Sequence, residues 1–241
     1  MRKREKPRSA PAIDPFAEWF RTTDAIPDKE LYRPLFSPWL GTGDFAKYYA
    51  VAKPRTLVSV DRCYVLWVLL RQAAQIDGNV WECGVYRGGT AAMMAAILRD
   101  SNPSKSLVLF DTFEGMPQTD PAKDYHKQGE FGDTSAEAVK EYVSSHGNCE
   151  IRKGYMPDTF RGLESSQIAF VHIDVDIHRS ILDSLQFVWP RLSVGGFIVF
   201  DDYGFPSCPG ARFAVDEFFS GEASVPLCLH TGQAVVFKGK A

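Results

Sequence analysis

The chain has 241 residues, a formal net charge of −3 and 45% hydrophobic residues, which suits one domain of moderate size with a real core. That charge leaves no electrostatic footprint for nucleic acid or an anionic membrane, and no run approaches the roughly 18 apolar residues a membrane span needs. Cys63, Cys83, Cys149, Cys208 and Cys228 are odd in number and include no C-x-x-C pair, which argues against a disulfide framework or a zinc ribbon and for a reducing cytoplasm.

The start carries Arg2, Lys3, Arg4, Lys6 and Arg8 with no apolar segment, so it reads as a solvated tail and not as a signal peptide. Up to about residue 50 the chain is rich in Pro and aromatics, among them Phe16, Trp19, Phe20, Phe36 and Trp39. Short helices and a cover over the main domain are expected there, with 1–55 as tail and cover and 56–241 as the principal domain. Val65, Leu66, Leu69, Leu70 and Ala73 have helical spacing and predict a helix over 62–74. A strand over 79–85 runs into glycine, a small-residue helix follows over 90–98, and a second strand over 106–111 ends in Asp111.

The polar stretch 112–132, with Gly115, Pro117, Pro121 and Gly129, is long enough to read as a functional loop. A helix over 135–145, a short strand over 149–152, a helical turn in 157–163 and an apolar strand over 168–174 come next. A helix over 180–189 stops at Pro190. A buried strand over 196–200, a helix over 212–219, and a terminal antiparallel pair at 225–230 and 234–238 complete the chain. Strands alternating with helices imply a mostly parallel sheet covered on both faces.

Three motifs carry chemistry. Glu82 to Thr90, E-C-G-V-Y-R-G-G-T, lies between a strand and a helix. Its glycines let a ligand approach the backbone, and the helix start offers free N–H groups; a plain tight turn is the other reading. Glu82 repels a pyrophosphate but can hold an ammonium group, which favours an amino-acid-bearing cofactor over a dinucleotide. Asp111, at the end of the second strand, can accept both hydroxyls of a ribose, or serve as a helix cap. Asp174 and Asp176 end one apolar run, and Asp201 and Asp202 end the next. Carboxylates at a buried strand edge are costly unless paired or bound to a cation. Residues i and i+2 of a strand share a face, but the break into the following helix splays Asp174 from Asp176 and gives them different jobs. Asp174 with Asp201 and Asp202 suits Mg²⁺, which prefers oxygen ligands. Capping by Asp176 and a turn at Asp202 are the plain alternatives.

Taken together, W-E-C-G-V-Y-R-G-G-T, L-F-D-T-F-E-G-M-P, G-Y-M-P-D-T-F, H-I-D-V-D-I-H-R-S, G-G-F-I-V-F-D-D-Y-G and A-V-D-E-F-F resemble the macrocin O-methyltransferase family, which includes novobiocin-type sugar O-methyltransferases, from about residue 56 to residue 219. The resemblance implies a Rossmann-like class I α/β sheet of seven strands, mostly parallel with an antiparallel last strand, and S-adenosylmethionine and Mg²⁺ as cofactors. It implies methyl transfer to a hydroxyl of a small-molecule acceptor, often an antibiotic deoxysugar. By motif, Asp174, Asp201 and Asp202 are the implied metal ligands and Asp176 the general base. Glu82, Gly84, Tyr86, Gly88, Asp111, Thr112, Asp158 and Asp174 are implied to line the cofactor pocket, and Ser59 to touch the methionine carboxylate.

Family members tend to self-associate, so a homodimer or higher oligomer is expected. The chain departs from the family at His178, where an aromatic is common, and His178 competes with Asp176 as base because an ordinary imidazole titrates near pH 6.5; a solvent-facing or capping histidine is the plain reading. Two other readings stay open, a dinucleotide-dependent oxidoreductase and a non-catalytic cofactor-binding protein. The absence of G-x-G-x-x-G and the crowded aspartates weigh against them.

Overall fold

The computed structural model describes residues 38–40 and 43–240. The chain divides into two units, Met1–Gly41 and Thr42–Ala241. In the first, the described residues form a 3₁₀ turn, Pro38–Leu40, which contains Trp39. The rest of the expected cover up to residue 37, with Phe16, Trp19, Phe20 and Phe36, lies outside the described residues.

The second unit runs α1 (Phe45–Ala52), α2 (Val60–Ala73), β1 (Asn79–Cys83), α3 (Gly89–Ser101), β2 (Leu107–Asp111), α4 (Ala136–Ser144), β3 (Glu150–Lys153), β4 (Ile168–Ile173), α5 (His178–Val188), β5 (Leu192–Phe200), α6 (Pro209–Phe219), β6 (Leu227–Cys228) and β7 (Ala234–Phe237). The strands form one sheet in the order β3-β2-β1-β4-β5-β7-β6. Strands β1 to β5 pair in parallel, and β7 runs antiparallel to both β5 and β6. This is the expected seven-strand, mostly parallel sheet with an antiparallel last strand.

Local sequence explains most boundaries. Strand β1 stops at Cys83 because Gly84 turns to φ +85°, a conformation open to glycine and costly for other residues. Helix α5 gives way at Val188 to a 3₁₀ turn, Trp189–Arg191, around Pro190, whose ring and missing N–H cannot continue an α-helix. Strand β5 starts four residues before the expected 196. The ladder with the end of the chain carries it, through Gly195 N–H to Lys238 O (2.7 Å) and Lys238 N–H to Gly196 O (3.0 Å).

Helices α1 to α4 pack on one face, with α3 against α1, α2 and α4; α5 and α6 pack together on the other. Alanines 91, 92, 95 and 96 make α3 thin enough to be buried through Leu98. On the α5 face Trp81, Phe110, Phe160 and Phe187 make mutual ring contacts. Each fully buried large apolar side chain contributes about 1.5–3 kcal/mol. Sheet order reverses at the β1/β4 junction, since β2 lies on one side of β1 and β4 on the other. In such sheets the crevice outside the strands' carboxyl ends is the ligand position. No described helix is long and apolar enough to cross a membrane.

Candidate active site

A cavity of about 680 Å³ opens at that edge. Its wall includes Gly84 and Tyr86 after β1, Asp111 at the end of β2 and Thr112 after it, Asp174 and Asp176 after β4, and Asp202 after β5. At Gly84 the absence of a side chain is required: a Cβ there would fall 1.8 Å from the carbonyl oxygen of Asp174. Among the described residues four non-glycines adopt positive φ, namely Tyr86, Phe113, Phe131 and Asp176, and all but Phe113 line the cavity. Such conformations cost about 1–3 kcal/mol each and gather where function holds them.

Beneath the cavity, on the α2 face, runs a chain of buried charges. Glu82 Oε1 lies 2.9 Å from His172 Nδ1, and His172 Nε2 lies 3.3 Å from Asp201 Oδ1. Gln233 Nε2 donates to the same Asp201 oxygen at 2.8 Å, and the Arg62 guanidinium holds the other. Strand register produces the first link, since Glu82 stands opposite His172 across β1 and β4. Burial alone would lower the His172 pKa, but its bonds to Asp201 and Glu82 outweigh that and hold it up at about 10. The two carboxylates thus favour the protonated imidazole. Burial also pushes Asp201 upward, yet His172, Arg62 and Gln233 more than offset it and leave its carboxyl below the ordinary value. Glu82 stays raised because its desolvation exceeds what His172 returns, and its Oε2 is buried without a hydrogen-bond partner.

The remaining carboxylates are poorly compensated. Burial, followed by the Asp201 charge, raises Asp174 well above its usual value; burial, followed by the charges of Asp176 and Asp174, does the same to Asp202. A carboxylate oxygen of Asp174 lies within 4.8 Å of a ring nitrogen of His172 and of a carboxylate oxygen of Asp201. Asp176 is splayed from Asp174 by its left-handed turn (φ 58°). Its N–H donates to Asp202 Oδ2 at 3.3 Å, and its Oδ1 accepts from Cys208 Sγ at 3.4 Å. Burial raises its pKa, partly countered by His126.

His126 comes from the loop 112–132, which folds back on itself through Met116 N–H to Glu130 O (2.8 Å) and Gly129 N–H to Met116 O (2.9 Å). The loop is pinned to the first turn of α5, where Asp124 Oδ1 accepts the N–H of His178 at 2.9 Å.

The sequence-derived residues therefore separate. Gly84, Tyr86, Asp111, Thr112, Asp174, Asp176 and Asp202 share the cavity wall, and Asp201 is anchored behind it. Asp111 has work besides any ribose: it accepts N–H bonds from Val85 (2.7 Å), Tyr86 (2.9 Å) and Phe113 (2.7 Å). That uses three of about four lone-pair positions.

Besides Asp201, five expected residues are not brought to the wall. His178 is buried at the start of α5 with Nε2 3.0 Å from Glu217 Oε2. Asp158 is exposed and ion-paired with Arg161 at 2.6 Å. Ser59 precedes α2 and accepts from Arg62 Nε at 3.1 Å. Gly88 takes φ +80° at the start of α3, against Val139. Glu82 is sealed beneath the glycine loop. Sequence reasoning missed Arg62, His126, His172 and Cys208. Of these His172, a histidine inside an otherwise apolar strand, was visible as V-H-I-D; the others meet the site only through the fold.

A family model described as macrocin-O-methyltransferase (TylF) matches residues 56–228. Among curated proteins, the 8-demethyl-8-(2,3-dimethoxy-alpha-L-rhamnosyl)-tetracenomycin-C 4'-O-methyltransferase of Streptomyces olivaceus is 30% identical over 148 residues, covering 56% of this chain and 57% of that protein. The demethyldecarbamoylnovobiocin O-methyltransferase of Streptomyces niveus is 28% identical over 155 residues, covering 59% and 58%. The chain thus spans less than two thirds of the length of these relatives. The solved structure of the O-methyltransferase NovP superposes with a TM-score of 0.69 at 23% identity, over 77% of this chain and 83% of that one, a likeness of fold.

Proposed function

We propose, from the premise that this chain belongs to the macrocin-O-methyltransferase family, that it transfers a methyl group from S-adenosylmethionine to a hydroxyl of a small natural product, a deoxysugar or a similar polyol or phenol. The observation that carries the reading is the single cavity wall on which the Gly84 turn meets the carboxylates of Asp174, Asp176 and Asp202. Both parts of the donor–acceptor pair have a place there, since about 300–1,000 Å³ is the usual range for such sites.

The residues fit the cofactor. A backbone that excludes even a Cβ at Gly84 gives close approach at the cavity wall. They also fit Mg²⁺. Asp174 and Asp202 face the cavity as oxygen donors of the kind that ion prefers, and Asp201, held by Arg62, His172 and Gln233, would have to release one of these to join them. His172 stands between Glu82 and Asp201, one carboxylate on each ring nitrogen. When bound, S-adenosylmethionine supplies the methyl as an electrophilic sulfonium, and Mg²⁺ acidifies and orients a coordinated hydroxyl.

The chain supplies the rest. Asp176 takes the acceptor's proton on its carboxylate, and its raised pKa makes it a stronger base near neutral pH than an ordinary aspartate. The left-handed backbone at Asp176 and the bond from its N–H to Asp202 hold it in that direction. Loop 112–132, pinned at Asp124, screens the site from water.

The test is methyl transfer from labelled S-adenosylmethionine to a panel of deoxysugar glycosides and catechols, for wild type and Asp176→Asn. Transfer to a hydroxyl is expected, with kcat lower by about 10²–10⁴-fold in the variant and cofactor affinity kept. Full activity in Asp176→Asn would remove the base assignment.

A further inference from the structure

One cluster on the cavity wall joins the general base Asp176 to two side chains that this chemistry does not use, His126 and Cys208. His126 Nε2, Cys208 Sγ and Asp176 Oδ1 form a triangle with sides of 3.5 Å (N to S), 3.4 Å (S to O) and 3.8 Å (N to O). With metal distances of about 2.3 Å to sulfur, 2.05 Å to nitrogen and 2.1 Å to oxygen, a tetrahedral centre places such atoms about 3.4–3.6 Å apart. The side chains therefore stand within a few tenths of an ångström of a three-ligand face before any ion arrives.

The support behind the histidine has the form that metal-binding histidines use. Nδ1 of His126 lies 2.7 Å from Glu130 Oε2, which turns Nε2 toward Cys208 and Asp176. A carboxylate on the far nitrogen fixes the ring and raises its basicity as a ligand. All three ligands line the cavity, so the fourth position opens onto it. Cys208 is 4% exposed, and burial with the charges of Asp202 and Asp176 pushes its thiol upward; the thiol keeps its proton and donates a hydrogen bond to Asp176 Oδ1 until a cation takes its place.

We propose that His126, Asp176 and Cys208 form a second metal site, separate from the all-oxygen set, that takes a Zn²⁺-class cation and withdraws Asp176 from proton transfer when filled. Sulfur and imidazole select a borderline cation over Mg²⁺, so the two sites differ in what they admit. On capture the S–H bond of Cys208 breaks, a sulfur–metal bond forms, and the proton leaves to solvent. Metal capture needs only these three side chains; its effect on turnover rests on Asp176 as base.

The test uses the full chain in saturating Mg²⁺, titrated with Co²⁺ as the spectroscopic probe. The expected result is one Co²⁺ per chain with a thiolate-to-cobalt charge-transfer band in the near ultraviolet, lost when Zn²⁺ is added in competition. Cys208→Ser should abolish the band, and His126→Asn should weaken Co²⁺ binding at least tenfold. Glu130→Gln, which keeps the ligands but loses the support, should weaken it by about 10–100-fold. In Mg²⁺, Zn²⁺ should lower wild-type turnover at least tenfold and affect Cys208→Ser far less.

The absence of a band in wild type overturns the site, as does a band that survives in Cys208→Ser and so belongs to half-buried Cys149 or exposed Cys228. If Cys208→Ser does not fold, His126→Asn decides alone, and unchanged Co²⁺ affinity there overturns the site equally. Metal captured with turnover unchanged overturns the inhibitory half, and with it Asp176 as the base.

Discussion

His172→Gln probes the buried charge chain that fixes the position of Asp201. The imidazolium bridges Glu82 at 2.9 Å and Asp201 at 3.3 Å, with every side chain in the trio fully buried. Removing one partner of such a pair costs about 3–5 kcal/mol, because a desolvated charge is left behind. The titration of His172 provides a second route to the magnitude. Its pKa rises from the ordinary 6.5 to about 10 on folding, and at about 1.4 kcal/mol per pH unit that difference corresponds to about 5 kcal/mol.

The cost of removing one partner is large against a total stability of about 5–15 kcal/mol, and the raised His172 pKa has the same sign. Because the folded pKa lies above the unfolded one, this contribution is complete below pH 6.5 and is lost as pH rises through 10. At pH 8 a little over half of it remains. The assay is urea unfolding of wild type and His172→Gln in chelator, followed by circular dichroism at pH 6 and pH 9. The expected gap is about 3–5 kcal/mol at pH 6, narrowing at pH 9. A gap below about 1 kcal/mol, the worth of an ordinary hydrogen bond, or one independent of pH, would refute the reasoning.

Two further outcomes are expected. Gly84→Ala forces a Cβ to within 1.8 Å of Asp174 O at φ +85°; it should cost at least tenfold in S-adenosylhomocysteine affinity by calorimetry and lower the melting temperature, and near-wild-type binding would show that the turn is not the cofactor's seat. Asp124→Ala removes the carboxylate bonded to the first turn of α5, a change worth about 0.5–2 kcal/mol; limited proteolysis should cut within 112–132 faster, and unchanged cutting would mean that other contacts hold the loop.

Much of the architecture was legible because its signals are local. Helical spacing at Val65 to Ala73, the Gly84 turn and Pro190 each mark a boundary within a residue or two. The early start of β5 was not, since its first residues are held by Lys238 from the end of the chain, a pairing no local pattern shows. The aspartates were legible at the site because each ends a strand at the same sheet edge. Their partners were not. Arg62 lies 139 residues from Asp201 and Cys208 lies 82 from His126, so only the folded chain joins them. His178 adjoins the Asp176 turn in sequence, and entering α5 there sets its ring beside Glu217 and Lys123.

The central claim, that this cavity is a metal-assisted S-adenosylmethionine site, is tested most directly by calorimetric titration with S-adenosylhomocysteine, with and without Mg²⁺. Binding at micromolar strength, together with a separate Mg²⁺ titration signal that is lost in Asp202→Asn, is the expected result. No binding of S-adenosylhomocysteine in either condition would contradict the account.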